Sequence, residues 1–419
     1  MKEEFSFLNE KIKTKPFYKK KWVQILLATV IAAVVFGAIS SFVFAKVNAW
    51  MKEKSAQEEI KDIEIPADSA EESDMQENSE DAASQTPPET IVVENGLNIE
   101  DYGVLYAQLR GLAREVDKSL VKVTAVTNGV DWFNEEYQNS GQASGMIIGD
   151  NGVELLILTR YGTVESCDGM NVTFVDDTVA SAALKKYDIT TSLAVISVNL
   201  SEISDSTKEK IKKANLGNST RLEAGTPVIA LGRVDGSEDS MMVGTLTSTK
   251  SSQSAIDAEY TILVTDMLKH AGSDGVLVNL NGEVIGIIQE QHLAENMKNV
   301  LAGYAISDIK SLLQHLSNNH DITYLGIQGI SVPAEAIATG IPEGIYVTDV
   351  ELDSPAMRGG IQAGDIIHAI NGQKVTAMTE LSDVLQRLSN RQHISLEGRR
   401  LTKDGYKKVN YQTILSVLE

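Results

Sequence analysis

The stretch Leu277-Val278-Asn279-Leu280-Asn281-Gly282-Glu283-Val284-Ile285-Gly286-Ile287 decides the fold. It lies within two short apolar runs, GVLVNL (275–280) and EVIGIIQ (283–289), separated by Asn and Gly. The same pattern repeats upstream in LVKVTAV (120–126), GMIIGD (145–150), VELLILT (153–159), NVTFVD (171–176), SLAVISV (192–198), PVIALG (227–232), TLTST (245–249) and YTILVTD (260–266). Short strands punctuated by Gly, Asp and Asn point to a β-barrel or sandwich. A helix, SDIKSLLQHLSNN, follows at 307–319, and a further β-rich unit runs from Tyr324 to the end. Ahead of the strands, order begins near Asn98. Tyr102, Leu105, Tyr106, Leu109, Leu112 and Val116 recur there at helical spacing.

The chain has 419 residues, enough for two to three domains, and a net charge of −21 that is unevenly spread. Lys11, Lys13, Lys15, Lys19, Lys20 and Lys21 make the first 21 residues basic, whereas the segment from 53 to 94 is acidic. The acidic balance disfavours nucleic acid as a partner. From Trp22 to Ala45 no charge occurs over about 24 residues, and ~20 suffice to cross a membrane. Trp22 and Trp50 sit where interfacial anchors belong, and the preceding lysines put the N-terminus in the cytoplasm. The run is longer than the ~7–15 residues of a signal-peptide core, so the expectation is an uncleaved anchor.

Residues 52–92 lack the apolar content to offset ordering entropy and read as a spacer. The expected layout is a cytoplasmic tail (1–21), a transmembrane helix (22–45), an acidic disordered linker (46–97), a barrel domain (98–319) and a C-terminal domain (320–419). Everything after the membrane helix lies outside the cell membrane. Cys167 is the single cysteine, so no internal disulfide staples the fold. It reads as a small buried apolar residue rather than a reactive thiol.

The order and spacing of several fragments resemble the trypsin-like domain of the HtrA/Deg family over about 118–306. They are Ala143-Ser144-Gly145-Met146-Ile147-Ile148, Leu156-Ile157-Leu158-Thr159, Ser192-Leu193-Ala194-Val195, Leu216-Gly217-Asn218-Ser219, Ala224-Gly225-Thr226-Pro227, the opening stretch, and Gly303-Tyr304-Ala305-Ile306. Residues 323–419 resemble the family's PDZ domain through Tyr324-Leu325-Gly326-Ile327, Gly344-Ile345-Tyr346-Val347, Ser354-Pro355-Ala356, Gly360-Ile361-Gln362-Ala363-Gly364-Asp365 and the tight turn Ile370-Asn371-Gly372. The resemblance implies a mainly β fold. A trypsin-like double antiparallel β-barrel with its active site between the barrels is followed by a PDZ domain (α+β). It also implies assembly as a homotrimer.

Hydrolysis in this fold needs a serine nucleophile, a histidine base and a carboxylate that orients the histidine. The family's histidine follows a Leu-Thr pair; here Leu158-Thr159-Arg160-Tyr161-Gly162 puts Gly162 there. None of the six histidines precedes His270, so the first barrel holds no base in any register. Ser192 stands where the aspartate belongs, and Asp188, four residues earlier, reads as a turn residue. The nucleophile loop is His270-Ala271-Gly272-Ser273-Asp274-Gly275-Val276-Leu277. Anchored on Leu277 it aligns Ser273 with the nucleophile; anchored on Thr265-Asp266 it aligns Asp274. Ser273 also reads as a loop serine bonded to backbone. No metal-ligand spacing and no phosphate loop occurs, so neither metal nor cofactor is expected.

The PDZ unit keeps its binding pattern. Backbone N–H groups of Leu325, Gly326 and Ile327, after Tyr324, are placed to hold a peptide carboxylate while the peptide adds as a strand. Gly326 reads as leaving room for that carboxylate. Leu381, Val384, Leu385 and Leu388 have helical spacing and serve core, groove or both. Arg399 and Arg400 read as solvated strand positions. The expected function is a membrane-anchored HtrA-like pseudoprotease of the cell envelope. It would bind peptide or protein C-termini and unfolded segments, alone or with an active homologue. The alternative is an active HtrA-type serine endopeptidase for misfolded envelope proteins.

Overall fold

The run Leu155-Leu156-Ile157-Leu158 explains why these strands read as nearly unbroken apolar segments. Side chains alternate between the two faces of a strand, so a strand buried on both faces needs no polar position. Leu155 and Ile157 point into one barrel with Val121, Val123, Ala194 and Ile196. Leu156 and Leu158 point the other way, into a seam with Met146, Leu193, Val195, Ile229, Leu231, Val276 and Ile287. A second barrel interior collects Val228, Ala230, Leu263, Leu277 and Ile285. Each fully buried leucine or isoleucine contributes about 2 kcal/mol, so the seam alone binds the barrels firmly.

The structure, a computed structural model, describes residues 61–68, 98–130, 136–288 and 299–417. The expected tail, transmembrane helix and most of the linker lie outside the described residues. Among the described residues, no helix is long and apolar enough to cross a membrane. Six antiparallel strands close the first barrel in the order β1-β2-β3-β6-β5-β4: β1 Leu120–Val130, β2 Glu136–Asp150, β3 Glu154–Arg160, β4 Gly169–Thr173, β5 Val179–Asp188 and β6 Leu193–Asn199. The second closes as β10-β11-β12-β9-β8-β7, with β7 Pro227–Arg233, β8 Ser240–Ala255, β9 Ala258–Leu268, β10 Asp274–Val278, β11 Val284–Ile288 and β12 Val300–Ala305. The opening stretch supplies β10 and β11, which pair antiparallel with Leu277 opposite Gly286.

Helix α1 (Ile99–Asp117) starts with a capping box. Asn98 accepts from the N–H groups of Glu100 and Asp101, and Asp101 accepts from the N–H of Asn98. Its C-terminal half packs on the seam through Leu109, Leu112, Ala113 and Val116, while Tyr102 and Leu105 stay exposed. A one-turn helix, α2 (Tyr161–Val164), follows β3. Helix α3 (Ile306–Ser317) buries Ile309, Leu312, Leu313 and Leu316 against the seam.

The C-terminal domain has β13 (Thr323–Tyr324), β14 (Ile327–Ser331), β15 (Ile345–Val350), β16 (Ile366–Ile370), β17 (Gln373–Lys374), β18 (His393–Thr402), β19 (Gly405–Ile414) and β20 (Ser416–Val417). Its main sheet runs β14-β15-β16-β18-β19, with β17 paired to β16 and β13 to β20. Asn371 and Gly372 make the β16–β17 turn with φ of 49° and 80°, as Asn-Gly hairpins require. Helix α4 (Met378–Gln386) buries Met378, Leu381, Val384 and Leu385 in this core.

Two sequence readings change. Residues 61–68, assigned to the disordered linker, lie against the barrels. Ile63 and Ile65 pack on the seam core, Asn318 bonds both the N–H (2.9 Å) and carbonyl (3.0 Å) of Ile63, and Lys310 pairs with Asp68 at 2.6 Å. Two isoleucines in an acidic stretch are too few to stand out by composition. Arg400 is not merely solvated. Its guanidinium forks onto the buried Asp365 carboxylate at 2.6 and 2.8 Å, a bidentate geometry that Arg alone offers. Cys167 is half-buried, with its Sγ 3.4 Å from the carbonyl of Val164.

Candidate functional site

The end of β3 turns directly into α2, which leaves Gly162 exposed on a single helical turn. The N–H of Tyr161 donates to the carbonyl of Ser192 at 2.8 Å, so Gly162 and Ser192 lie on adjoining corners of the first barrel. Ser192 is buried and sits at φ 57°. Asp188 does not reach toward Gly162. Its carboxylate accepts from the N–H (2.9 Å) and hydroxyl (2.6 Å) of Thr191 within its own turn. Burial pushes its pKa up despite those bonds. Tyr161 and Tyr187 stack with centroids 4.2 Å apart and planes at 8°, joining α2 to the end of β5.

On the second barrel, Ser273 is 1% exposed. Its hydroxyl lies 2.7 Å from the Val234 carbonyl and 2.8 Å from the His270 carbonyl, and it accepts the N–H of His270 at 3.0 Å. The side chain ties two loops of one barrel together. The residue facing the seam is Asp274, which opens β10 opposite Arg233 of β7. Its Oδ1 accepts the N–H of Ser144 from the first barrel at 2.9 Å, and its Oδ2 lies 3.9 Å from the Arg160 guanidinium. Ser144 completes the junction: its Oγ accepts the N–H of Arg233 at 3.0 Å, and its carbonyl accepts the Thr159 hydroxyl at 3.0 Å. Burial raises the pKa of Asp274, against the Ser144 bonds and the Arg160 and Arg233 charges.

The structure therefore brings Arg160, Ser144, Leu193 and Asp274 to one small pocket and keeps the Ser273 hydroxyl out of it. Its described lining includes no histidine. His270 contributes its backbone N–H to Ser273. His315 bridges α3 to α4, its ring nitrogens 3.0 Å from the Ser311 carbonyl and 2.8 Å from the Gln386 carbonyl. His292 lies outside the described residues. An aspartate that accepts a main-chain N–H from the other barrel can hold the two barrels in register.

The N–H groups of Leu325, Gly326 and Ile327 converge on a carboxylate of this chain. Leu325 N–H donates to Asp257 Oδ2 at 2.7 Å, Gly326 N–H to both oxygens at 3.0 and 2.8 Å, and Ile327 N–H to Oδ1 at 2.9 Å. The N–H of Asp257 in turn donates to the Ile327 carbonyl at 2.8 Å. Asp257 is the second residue of the two-residue turn between β8 and β9, where Ala255 pairs with Ala258, and it adopts φ 57°. Asp tolerates that left-handed position. Burial lifts its carboxyl to about 6; the three loop N–H groups oppose the shift and Glu351 adds to it.

Sequence reasoning missed Asp257, because an Asp in a tight turn looks like any other turn Asp. Gly326 also has a reason within its own domain for being glycine. At φ 90°, a Cβ would lie 2.3 Å from Cβ of Ser354 and 2.9 Å from the Tyr324 ring, so crowding comes from its own domain.

Two closed six-stranded barrels with a polar junction at their seam, followed by a domain whose loop N–H groups hold a carboxylate, define a trypsin-like domain joined to a PDZ domain. Residues 143–287 match the trypsin-like peptidase domain family, and residues 346–400 match a PDZ domain family. The chain is 28% identical over 273 residues to Serine protease Do-like HtrA of Bacillus subtilis, covering 60% of this chain and 59% of that protein. It is 30% identical over 266 residues to Serine protease Do-like HtrB of the same organism, covering 58% and 56%. A probable periplasmic serine endoprotease, DegP-like, of Chlamydia trachomatis is 26% identical over 284 residues, covering 62% and 55%. The chain thus spans rather more than half the length of these curated relatives. Among solved structures, HtrA-type protease AlgW with decapeptide shares the fold at a TM-score of 0.54 and 20% identity, covering 74% of this chain and 99% of that one. Over these two domains the chain is similar to HtrA-type serine proteases that carry a PDZ domain.

Proposed function

We propose that this chain is a membrane-anchored HtrA-like pseudoprotease that binds peptide or protein C-termini through its PDZ domain in the cell envelope. One observation carries the reading. Where a nucleophile and base should meet, the Asp274 carboxylate accepts the Ser144 N–H, with the Arg160 guanidinium 3.9 Å from its other oxygen. The first barrel, moreover, contains no histidine in its sequence. Serine hydrolases stripped of their base lose several orders of magnitude in rate. The charge-free segment at 22–45 behind a lysine-rich start supports the anchor. The converging N–H groups of Leu325, Gly326 and Ile327 support recognition of a carboxylate.

The second reading, an active endopeptidase for misfolded envelope proteins, has in its favour that the relatives are named serine proteases. Hydrolysis of unfolded casein by the full chain separates the two. The pseudoprotease reading expects turnover no higher than that of an Asp274→Ala, Ser273→Ala double variant. Casein turnover that disappears with Ser273→Ala alone would sink it. The basis for an assembly with an active homologue or as a homotrimer is family resemblance, and size measurement of the full chain in detergent tests it.

A further inference from the structure

The carboxylate loop of the PDZ domain is occupied, in this chain, by a side chain from the neighbouring barrel. Two contacts together define the occupant. The Asp257 carboxylate takes the N–H groups of Leu325, Gly326 and Ile327. The Asp257 main-chain N–H donates to the Ile327 carbonyl at 2.8 Å. A peptide adding as a strand beside β14 would make the same pair of contacts: its terminal carboxylate on the loop N–H groups and its last N–H on the Ile327 carbonyl. Asp257 offers both from one residue, with its carboxylate one carbon further out than a chain terminus. The flanking turn fits as well. Strands β8 and β9 lie against β14, and β9 lies against α4, the two walls between which an added strand would run.

Resting on the peptide-binding reading above, we infer that Asp257 is an internal ligand of the PDZ domain, and that peptides ending in a free carboxylate bind only by displacing it. Charge-assisted bonds to backbone N–H groups are roughly twice as strong as neutral ones, and three converge here. The competitor is tethered, so it acts at a high effective concentration that a free peptide must overcome. Apparent affinity then falls by the fraction of molecules that are open. A second clip works in the same direction. The His315 ring lies 2.8 Å from the Gln386 carbonyl, and the Ser311 hydroxyl donates to the Gln386 side chain, holding α4 to α3.

The test uses the full chain in detergent and two variants that respect the left-handed turn. Asp257→Gly removes the side chain, and Asp257→Asn keeps its shape but loses the charge. The probe is a set of fluorescent decapeptides randomised in the last three residues, ending either in a carboxylate or in a carboxamide. The inference expects at least tenfold tighter binding of the carboxylate set by either variant, with no gain for the carboxamides. Equal affinity in wild type and both variants overturns it while leaving PDZ binding intact. If no form binds any peptide, the binding reading fails, and amide hydrogen exchange then decides on the contact. Faster exchange at Leu325, Gly326 and Ile327 in the folded variants upholds Asp257 as the occupant of the loop. Unchanged exchange there overturns it.

Discussion

Oδ1 of Asp274, on the second barrel, lies 2.9 Å from the backbone nitrogen of Ser144, on the first. This bond joins the two halves where a protease of this fold would carry out its chemistry. The Arg160 guanidinium lies 3.9 Å from the other carboxylate oxygen, and the charge of Arg233, on the strand paired with Asp274, also favours the ionised form.

Removing this carboxylate is expected to destabilise the chain. Asp274→Ala leaves the Ser144 N–H unpaired and removes the carboxylate 3.9 Å from the Arg160 guanidinium, at a cost of about 3 kcal/mol. Asp274→Asn keeps an acceptor for Ser144 and costs less, about 1–2 kcal/mol. Urea unfolding of both variants measures the difference. Equal, negligible losses would show that the junction does not hold the barrels.

Asp117 gives a pH signature. Burial, and then the like charge of Asp239, lifts its carboxyl to about 6. The folded value exceeds the unfolded one, near ~3.9, so the folded chain holds this proton more tightly. Its contribution to stability is full below about pH 4 and is lost as pH rises through about 6. Asp117→Asn should therefore stabilise the chain at pH 7.5 and leave it unchanged or weaker at pH 4. Thermal melts across that range check the crossing.

Gly326→Ala is expected to unfold the C-terminal domain partially rather than simply weaken binding. Its Cβ would collide with Ser354 and Tyr324 at a positive φ, a combined cost of about 3 kcal/mol. A lowered melting transition, read at Tyr411 in the core, is the expected result. An unchanged transition would show that the loop relaxes freely.

The strap at 61–68 hangs on Asn318 through two bonds to Ile63. Asn318→Ala should release it and make the strap the first site of limited proteolysis. The barrels themselves should remain resistant. Cleavage unchanged from wild type would mean that Ile63, Ile65 and the Lys310–Asp68 pair suffice.

The barrels were legible because burial on both faces writes unbroken apolar runs such as Leu155–Leu158 and Val228–Leu231 into the chain. Gly162 was readable as a candidate position because its place after a Leu-Thr pair is a local pattern. The roles of Ser273 and Asp274 were not. Adjacent in one loop, they part only in the fold, where the Ser273 hydroxyl bonds Val234 and His270 and Asp274 pairs with Arg233. Asp257 was hidden for a different reason. Its partners, Leu325 to Ile327, are about seventy residues away, and nothing local distinguishes a turn aspartate that caps itself from one that caps another domain. Arg400 was misread similarly, since its partner Asp365 lies on another segment of the sheet.

The central claim is that the barrel seam holds no activated serine. Treating the folded full chain with a serine-reactive fluorophosphonate, followed by peptide mass mapping, tests it most directly. The account predicts no adduct on Ser273 or any other serine under conditions that label an active HtrA-type protease completely. A stoichiometric adduct on Ser273, abolished by prior denaturation, would contradict it.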